Sequence, residues 1–212
     1  MAPRRRSSAE SSETRSALLN AAERLMLEAG YAAVSARRVA AEAGVNVALV
    51  YYYFANMDAL FIALFRRGAD RSLESQAKVL ASPQPLWGLW ELTHHQTSTA
   101  LTLEFIALAN HRKAIRAEIA DYSKKFRAMQ LETMSALLES YGLDPLTWPP
   151  ASVILTMWGV SQYLLIEQAF DLDTGHAETI ALIEGLITAL EGPRRSSPDE
   201  FSARDGAPLI GR

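Results

Sequence analysis

Apolar residues return every third or fourth position through most of this chain, and almost nowhere every second. Over residues 13–29, Ala17, Leu18, Ala21, Ala22, Leu25 and Met26 form an i, i+4, i+8 stripe, the mark of a helix with one buried face, and Gly30 supplies a stop. Ser35 is a candidate N-cap for a short helix over 36–43, which Gly44 ends. Asn46 caps a third helix over 47–53, and Asn56 a fourth from 57 to about 80, with Leu60, Phe61, Leu64 and Phe65 on one stripe. Downstream the spacing predicts a helix from about Pro85, one over "TALTLEFIALANHR" and a long one over "KAIRAEIADYSKKFRAMQLETMSALLESYG", which Gly142 and Pro145 close. Another over 151–170 follows Pro149, and a last one runs from a cap at Asp173 or Thr174 to about 190. No alternating run between turn residues and no hairpin dipeptide between apolar runs occurs, so the predicted fold class is all-α.

One predicted helix differs from the rest. "AGVNVALVYYYF", residues 43–54, carries no charge, and the silence extends to Met57, between Glu42 and Asp58. Either the element is buried all round, or one face awaits a partner that a carboxylate would repel. Two short helices joined by a tight glycine turn, packed on a longer first helix, make a helix-turn-helix. In that geometry Ala40, Val45, Val50 and Phe54 point inward, Ala48, Leu49 and Tyr52 outward, and Val47 and Tyr51 lie on the flanks. Val47, Ala48 and Leu49 suit thymine methyl groups in a major groove, and the Tyr51 and Tyr52 hydroxyls can donate to phosphate. Tyr53 either touches phosphate or packs on the first helix. Arg37 and Arg38 sit in the first turn of the second helix, where the dipole disfavours cations by a few tenths of a kcal/mol. A phosphate arriving there, at the free N–H groups and the Ser35 hydroxyl, would explain them.

Composition sharpens this picture in three places. The chain has 212 residues, 49% hydrophobic and 21% charged, enough for one large or two small domains. There is no cysteine, which removes disulfides, thiolate metal sites and a cysteine nucleophile, and suits a reducing cytoplasm. The net charge of −3 hides an asymmetry: residues 1–72 carry +3 and residues 73–212 carry −6, a basic front on an acidic body. The start, "MAPRRRSSAESSETRS", has no apolar segment behind its basic residues and is not read as a secretory signal. Arg4, Arg5 and Arg6 either enter a minor groove or form a solubilising tail. The longest uncharged stretch, 145–166, is broken by Pro149 and Pro150, and what remains is shorter than the roughly 20 residues a membrane span needs.

On these residues the chain resembles the tetracycline-repressor (TetR) family of bacterial transcription regulators. The resemblance runs from Thr14 to about Leu64: an apolar first helix ending in Glu28, Gly30 and Tyr31, then Ser35, Val39-Ala40, Ala43-Gly44-Val45, and a short helix ending in Tyr51 to Phe54. One position departs from it. The family commonly has a phosphate-holding Lys just after the recognition helix, and this chain has Met57, leaving Asn56 and the following helix N-terminus as the substitute. The DNA-contact set is therefore Ser35, Arg37, Arg38, Asn46, Val47, Ala48, Leu49, Tyr51, Tyr52 and Asn56. The implied organisation is a disordered basic arm (1–12), a helix-turn-helix domain (13–56), a helical body for effector and dimer (57–191) and a loose tail (192–212).

The resemblance also implies a homodimer on a near-palindromic double-stranded operator, formed through the last two helices, 151–170 and 176–190. The residues agree: Val153 to Ile166 is apolar nearly all round, and the last helix shows Ile180, Ile183 and Ile187 on one stripe and Leu182, Leu186 and Leu190 on another. A thick monomer core is the alternative. For a small apolar or aromatic effector, Trp87, Trp90, His94, Phe105, Phe126, Met129 and Trp158 are the candidates, each also readable as plain core. Adjacent His94 and His95 point to different faces, so no metal site is expected, and no cofactor or membrane partner. No nucleophile triad, metal signature or phosphate loop marks an enzyme. The competing reading is a helical protein-interaction module without specific DNA binding. Repression is the family's habit and is not read from these residues.

Overall fold

The computed structural model describes residues 8–93 and 96–195. Among them are nine α-helices and a single 3-10 turn, with no strand. The helices are α1 (Ser8–Ala29), α2 (Ala36–Glu42), α3 (Val47–Tyr53), α4 (Met57–Leu80), α5 (Pro85–Thr93), α6 (Gln96–His111), α7 (Lys113–Ser140), α8 (Pro150–Gln168) and α9 (His176–Glu191), and the turn is Tyr31–Ala33. Arg4, Arg5, Arg6, His94, His95 and residues 196–212 lie outside the described residues. The chain divides into two compact units, Met1–Ser72 with Gln96–Phe126 and Leu73–His95 with Arg127–Arg212. The division falls inside α4 and α7, so the first unit is larger than the 13–56 segment expected to form a domain.

The first unit packs the α1 stripe (Leu18, Leu19, Ala22, Met26) against Val39 of α2, Val50 of α3, Leu60, Phe61 and Leu64 of α4, and Phe105 and Leu108 of α6. Gly44 takes φ +66° between α2 and α3. Its N–H donates to Ala41 O (3.1 Å) and that of Val45 to Ala40 O (2.9 Å), the pair of bonds that closes a helix through a left-handed residue. Polar ties join the elements: Arg24 to Glu42 at 2.9 Å, and Arg67 and Arg71 to Glu23 at 2.5 and 2.9 Å. Glu104 of α6 accepts from the Tyr31 N–H at 2.6 Å, satisfying the chain where it leaves α1.

In the second unit, Leu86, Trp87, Leu89 and Trp90 of α5 bury against Val79 of α4, Met134 and Leu138 of α7, Ile154 and Met157 of α8, and Ile183 and Ile187 of α9. A Cβ on Gly88 would lie 2.7 Å from a Val79 methyl, so α4 and α5 pack too closely for a larger residue there. Glu191, last in α9, accepts from the N–H groups of Leu86 (2.7 Å) and Trp87 (3.1 Å) and from the Tyr141 hydroxyl (2.5 Å). Its carboxylate thereby caps the positive end of α5. Burial, and then the bond to Glu191, push the Tyr141 hydroxyl well above the ordinary phenol range.

Three boundaries differ from the sequence reading. Helix α1 begins at Ser8, so 8–12 are helical rather than disordered; no Pro or Gly lies between there and Gly30 to stop the helix extending backward. Helix α9 is not capped by an Asp173 or Thr174 side chain: Gly175, at φ +83°, is its N-cap, and Asp173 contributes its carbonyl to the His176 N–H at 3.0 Å. The tail expected to be loose from 192 is pinned through 195. Gln84 donates to Pro193 O (3.0 Å) and accepts from the Arg195 N–H (2.7 Å), while Arg194 Nε lies 2.5 Å from Glu91. No single helix among the described residues is long and apolar enough to cross a membrane.

Candidate functional site

The uncharged stretch is not buried all round. Val50 and Phe54 point into the first unit's core, and Val45 packs on its edge. The opposite side is open: Ala48 is exposed, Tyr51 is 57% exposed and Tyr52 75%, with Val47 exposed beside them. Leu49 departs from the outward set; it is half-buried, because its position on a seven-residue helix turns part of the side chain toward the protein. Tyr53 also packs against the core, and its ring meets that of Tyr52 edge to face at 5.0 Å, bracing the exposed tyrosine.

Local chemistry sets the helix ends as the sequence requires. Asn46 Oδ1 accepts from the Ala48 N–H at 2.8 Å and Asn56 Oδ1 from the Ala59 N–H at 2.9 Å, while the Ser35 hydroxyl accepts from the Arg38 N–H over a longer 3.4 Å. Ser35, Asn46 and Asn56 are all exposed. Met57, where the resemblance leads one to expect a lysine, is half-buried and packs on the core.

The electrostatics follow from which charges are already paired. Glu42 and Asp58, the carboxylates that bracket the uncharged stretch, are both in ion pairs, with Arg24 and Arg112 respectively. Arg112 also lies 5.6 Å over the Phe61 ring. Arg37 and Arg38 are exposed and have no carboxylate partner among the described residues. A further cation went unnoticed in the sequence: exposed Arg15 of α1 lies 5.3 Å over the ring of Phe54, the C-cap of α3. The spacing of α1 carries no signal for it, since the approach depends on how α1 crosses α3. The face is thus apolar and aromatic at its centre, with three unneutralised guanidinium groups around α3 and no free carboxylate next to it in sequence. That arrangement matches a groove walled by phosphates.

The described members of the aromatic set proposed for an effector are divided between the two units. Phe105 lies in the first unit's core, edge to face with Phe65 at 5.4 Å, and Phe126 stacks on Tyr122 at 6.4 Å in the same unit. Met129 is exposed. Trp87 and Trp90 fill the second unit's core, the indole N–H of Trp87 donating to Gly192 O at 3.0 Å. Trp158 lines a small, partly open cavity of about 20 Å³ walled also by Gln76, Leu80, Thr93, Gln130 and Met157. A larger groove of about 190 Å³ lies among Leu138, Trp148, Val153, Ile183 and Ile187, and Met157 lines both. No cluster of His, Cys, Asp and Glu able to hold a metal is present among the described residues.

Residues 18–64 match the family described as bacterial regulatory proteins, tetR family. Solved structures share the fold. A TetR transcription regulator from Haloarcula marismortui superposes with a TM-score of 0.65 at 18% identity, over 84% of this chain and 98% of that one. GusR from Salmonella enterica gives 0.63 at 18% identity, over 84% and 95%. The fatty acid degradation regulator FadR from Bacillus halodurans gives 0.62 at 19% identity, over 87% and 97%. No curated protein matches the chain in sequence.

Proposed function

We propose, for a chain that is a DNA-binding regulator of the TetR family, that it acts in the cytoplasm as a homodimeric repressor, released from a near-palindromic operator by a small molecule. The observation that carries the DNA side is the exposed face of α3. It has no charge, both bracketing carboxylates are consumed in ion pairs, and Arg37 and Arg38 remain available. Ala48, with Val47 and the exposed part of Leu49, would meet base edges. Tyr51, Tyr52, Asn56, Arg37, Arg38 and Ser35 would hold phosphates, with Asn46 fixing the start of the helix.

The dimer reading rests on α8 and α9. Leu155, Gly159 and Tyr163 are exposed along one side of α8, and Leu182 and Gly185 along one side of α9. A Cβ added at Gly159 or Gly185 would meet nothing within 4 Å in the protomer. A glycine inside a helix costs about 1 kcal/mol relative to alanine, so two of them on exposed faces ask for a reason. Close approach of a partner's helices supplies one. Effector binding in the body would favour a conformation with the two recognition helices at the wrong spacing for successive grooves. A coupling of about 1–3 kcal/mol lowers operator affinity roughly 5- to 150-fold.

Fluorescence anisotropy on duplex selected from a random pool tests this reading. Tight binding that falls steeply with salt is expected, and flat, weak binding to every duplex would instead identify a protein-interaction module.

A further inference from the structure

Four polar side chains are buried inside the second unit. Gln130 Nε2 donates to Gln76 Oε1 at 3.1 Å, and Thr93 Oγ1 lies 2.6 Å from Ser161 Oγ while donating to Trp90 O at 2.7 Å. All are at least nine-tenths buried. Three of them, Gln76, Thr93 and Gln130, line the 20 Å³ cavity, whose remaining walls are apolar. That volume holds about one water. One bond to Gln76 leaves Gln130 with a second N–H and a carbonyl oxygen, so the cavity presents both a donor and an acceptor. No charged side chain lines either the cavity or the adjoining groove among the described residues. Met157 lines both spaces, and its unbranched thioether side chain changes rotamer at little cost.

We propose that this cavity is the head-group site for an uncharged amphiphile. A hydroxyl or primary amide head sits against Gln76, Gln130 and Thr93, and the apolar body passes a displaced Met157 into the 190 Å³ groove. The proposal rests on the reading that the body binds a small molecule, and adds the charge class and the orientation. A carboxylate or ammonium head would be stripped of water with no opposite charge to meet it, a cost that an amide repays with hydrogen bonds.

Three probes with one tail test it on the full chain at about pH 7: octanamide, octanoate and octylammonium, each titrated by calorimetry. Octanamide binds at least about tenfold tighter than either ion, a difference of roughly 1.4 kcal/mol. Gln130→Leu weakens octanamide by about tenfold, and Met157→Trp, which plugs the passage, removes its binding. Because either variant could disturb packing, Gln130→Glu provides a gain: it reverses the preference in favour of octylammonium. The site assignment is overturned if octanamide does not bind, if an ion binds as well as the amide in the unaltered protein, or if the Gln130 variants leave the order of the probes unchanged. Operator release is measured separately by anisotropy. Octanamide bound as described without any loss of DNA affinity would overturn the effector reading while leaving the site in place.

Discussion

Two surfaces of this protein look alike by composition and differ in what surrounds them. The outward side of α3 and the outward sides of α8 and α9 are both uncharged at their centres and both expose large apolar or aromatic groups: Tyr51 and Tyr52 on the first, Leu155, Tyr163 and Leu182 on the second. Around α3 stand Arg15, Arg37 and Arg38, with no free carboxylate next to it in sequence, and its large exposed groups end in hydroxyls. On α8 and α9 the neighbours are leucines and two glycines with empty space above them. The first surroundings suit a polyanion and the second suit a copy of the same helices. An uncharged surface does not name its partner; the charges left unpaired at its edge do.

The strongest way to break that contrast is to remove the guanidinium groups beside α3. The double substitution Arg37→Ala, Arg38→Ala deletes both cations from every protomer. With charge-assisted hydrogen bonds at roughly 1.5–3 kcal/mol each, operator affinity should fall about a hundredfold or more. The slope of log affinity against log salt should shrink by about 0.9 for each phosphate no longer neutralised. Stability should move the other way: the first turn of α2 is relieved of cations that its dipole disfavours, so Tm holds or rises slightly. Unchanged affinity and slope in an anisotropy titration would separate these arginines from DNA.

On the α8–α9 side, size rather than charge is the probe. Gly185→Ala should raise protomer stability by about 1 kcal/mol if nothing packs on the residue, while Gly185→Leu should drive a dimer apart and weaken operator binding with it. Sedimentation velocity reads the outcome. A leucine variant with the assembly state of the unaltered protein would remove the close helix approach from the account.

Within the α3 face, Tyr52→Ala should weaken specific and random duplexes alike, by about tenfold, with little effect on Tm because the side chain is exposed. Leu49→Ala should mainly change sequence preference, and because Leu49 is half-buried it should also lower stability by about 1 kcal/mol. Equal effects of the two on both kinds of DNA would contradict their separate roles.

The parts of this fold that were legible in the sequence are those decided within a few residues. The α1 stripe, the left-handed Gly44 turn and the Asn46 and Asn56 caps each depend on neighbours along the chain, and each appears where the pattern put it. What was not legible depends on long-range meetings. Glu191 caps α5 from 105 residues away, and Glu104 holds Tyr31 across 73. Helical spacing cannot tell which unit's core a ring joins: Phe105 went to one and Trp87 to the other. The glutamines that line the cavity gave no signal, since a polar residue on a helix reads as solvent-facing until its neighbours are known.

The finest test of the α8–α9 face concerns how the two helices are joined. Glu167 near the end of α8 lies 2.8 Å from Nε2 of His176 at the start of α9, and also takes a bond from exposed Tyr163. The bond from His176 leads in holding the Glu167 carboxyl below its ordinary range; desolvation opposes it, and the bond from Tyr163 adds to the lowering. A carboxyl with a depressed folded pKa adds stability above its unfolded value, near about 4.3. That stability is lost as pH falls through the lower folded value. The Tm advantage of the unaltered protein over Glu167→Gln should therefore be present at about pH 6 and close as the pH is taken below about 4. It should be small throughout, because solvent reaches the carboxylate. An advantage that persists unchanged into acid would mean that the amide's shape, and not the carboxylate's charge, accounts for the difference, and the link between α8 and α9 would then be a matter of packing.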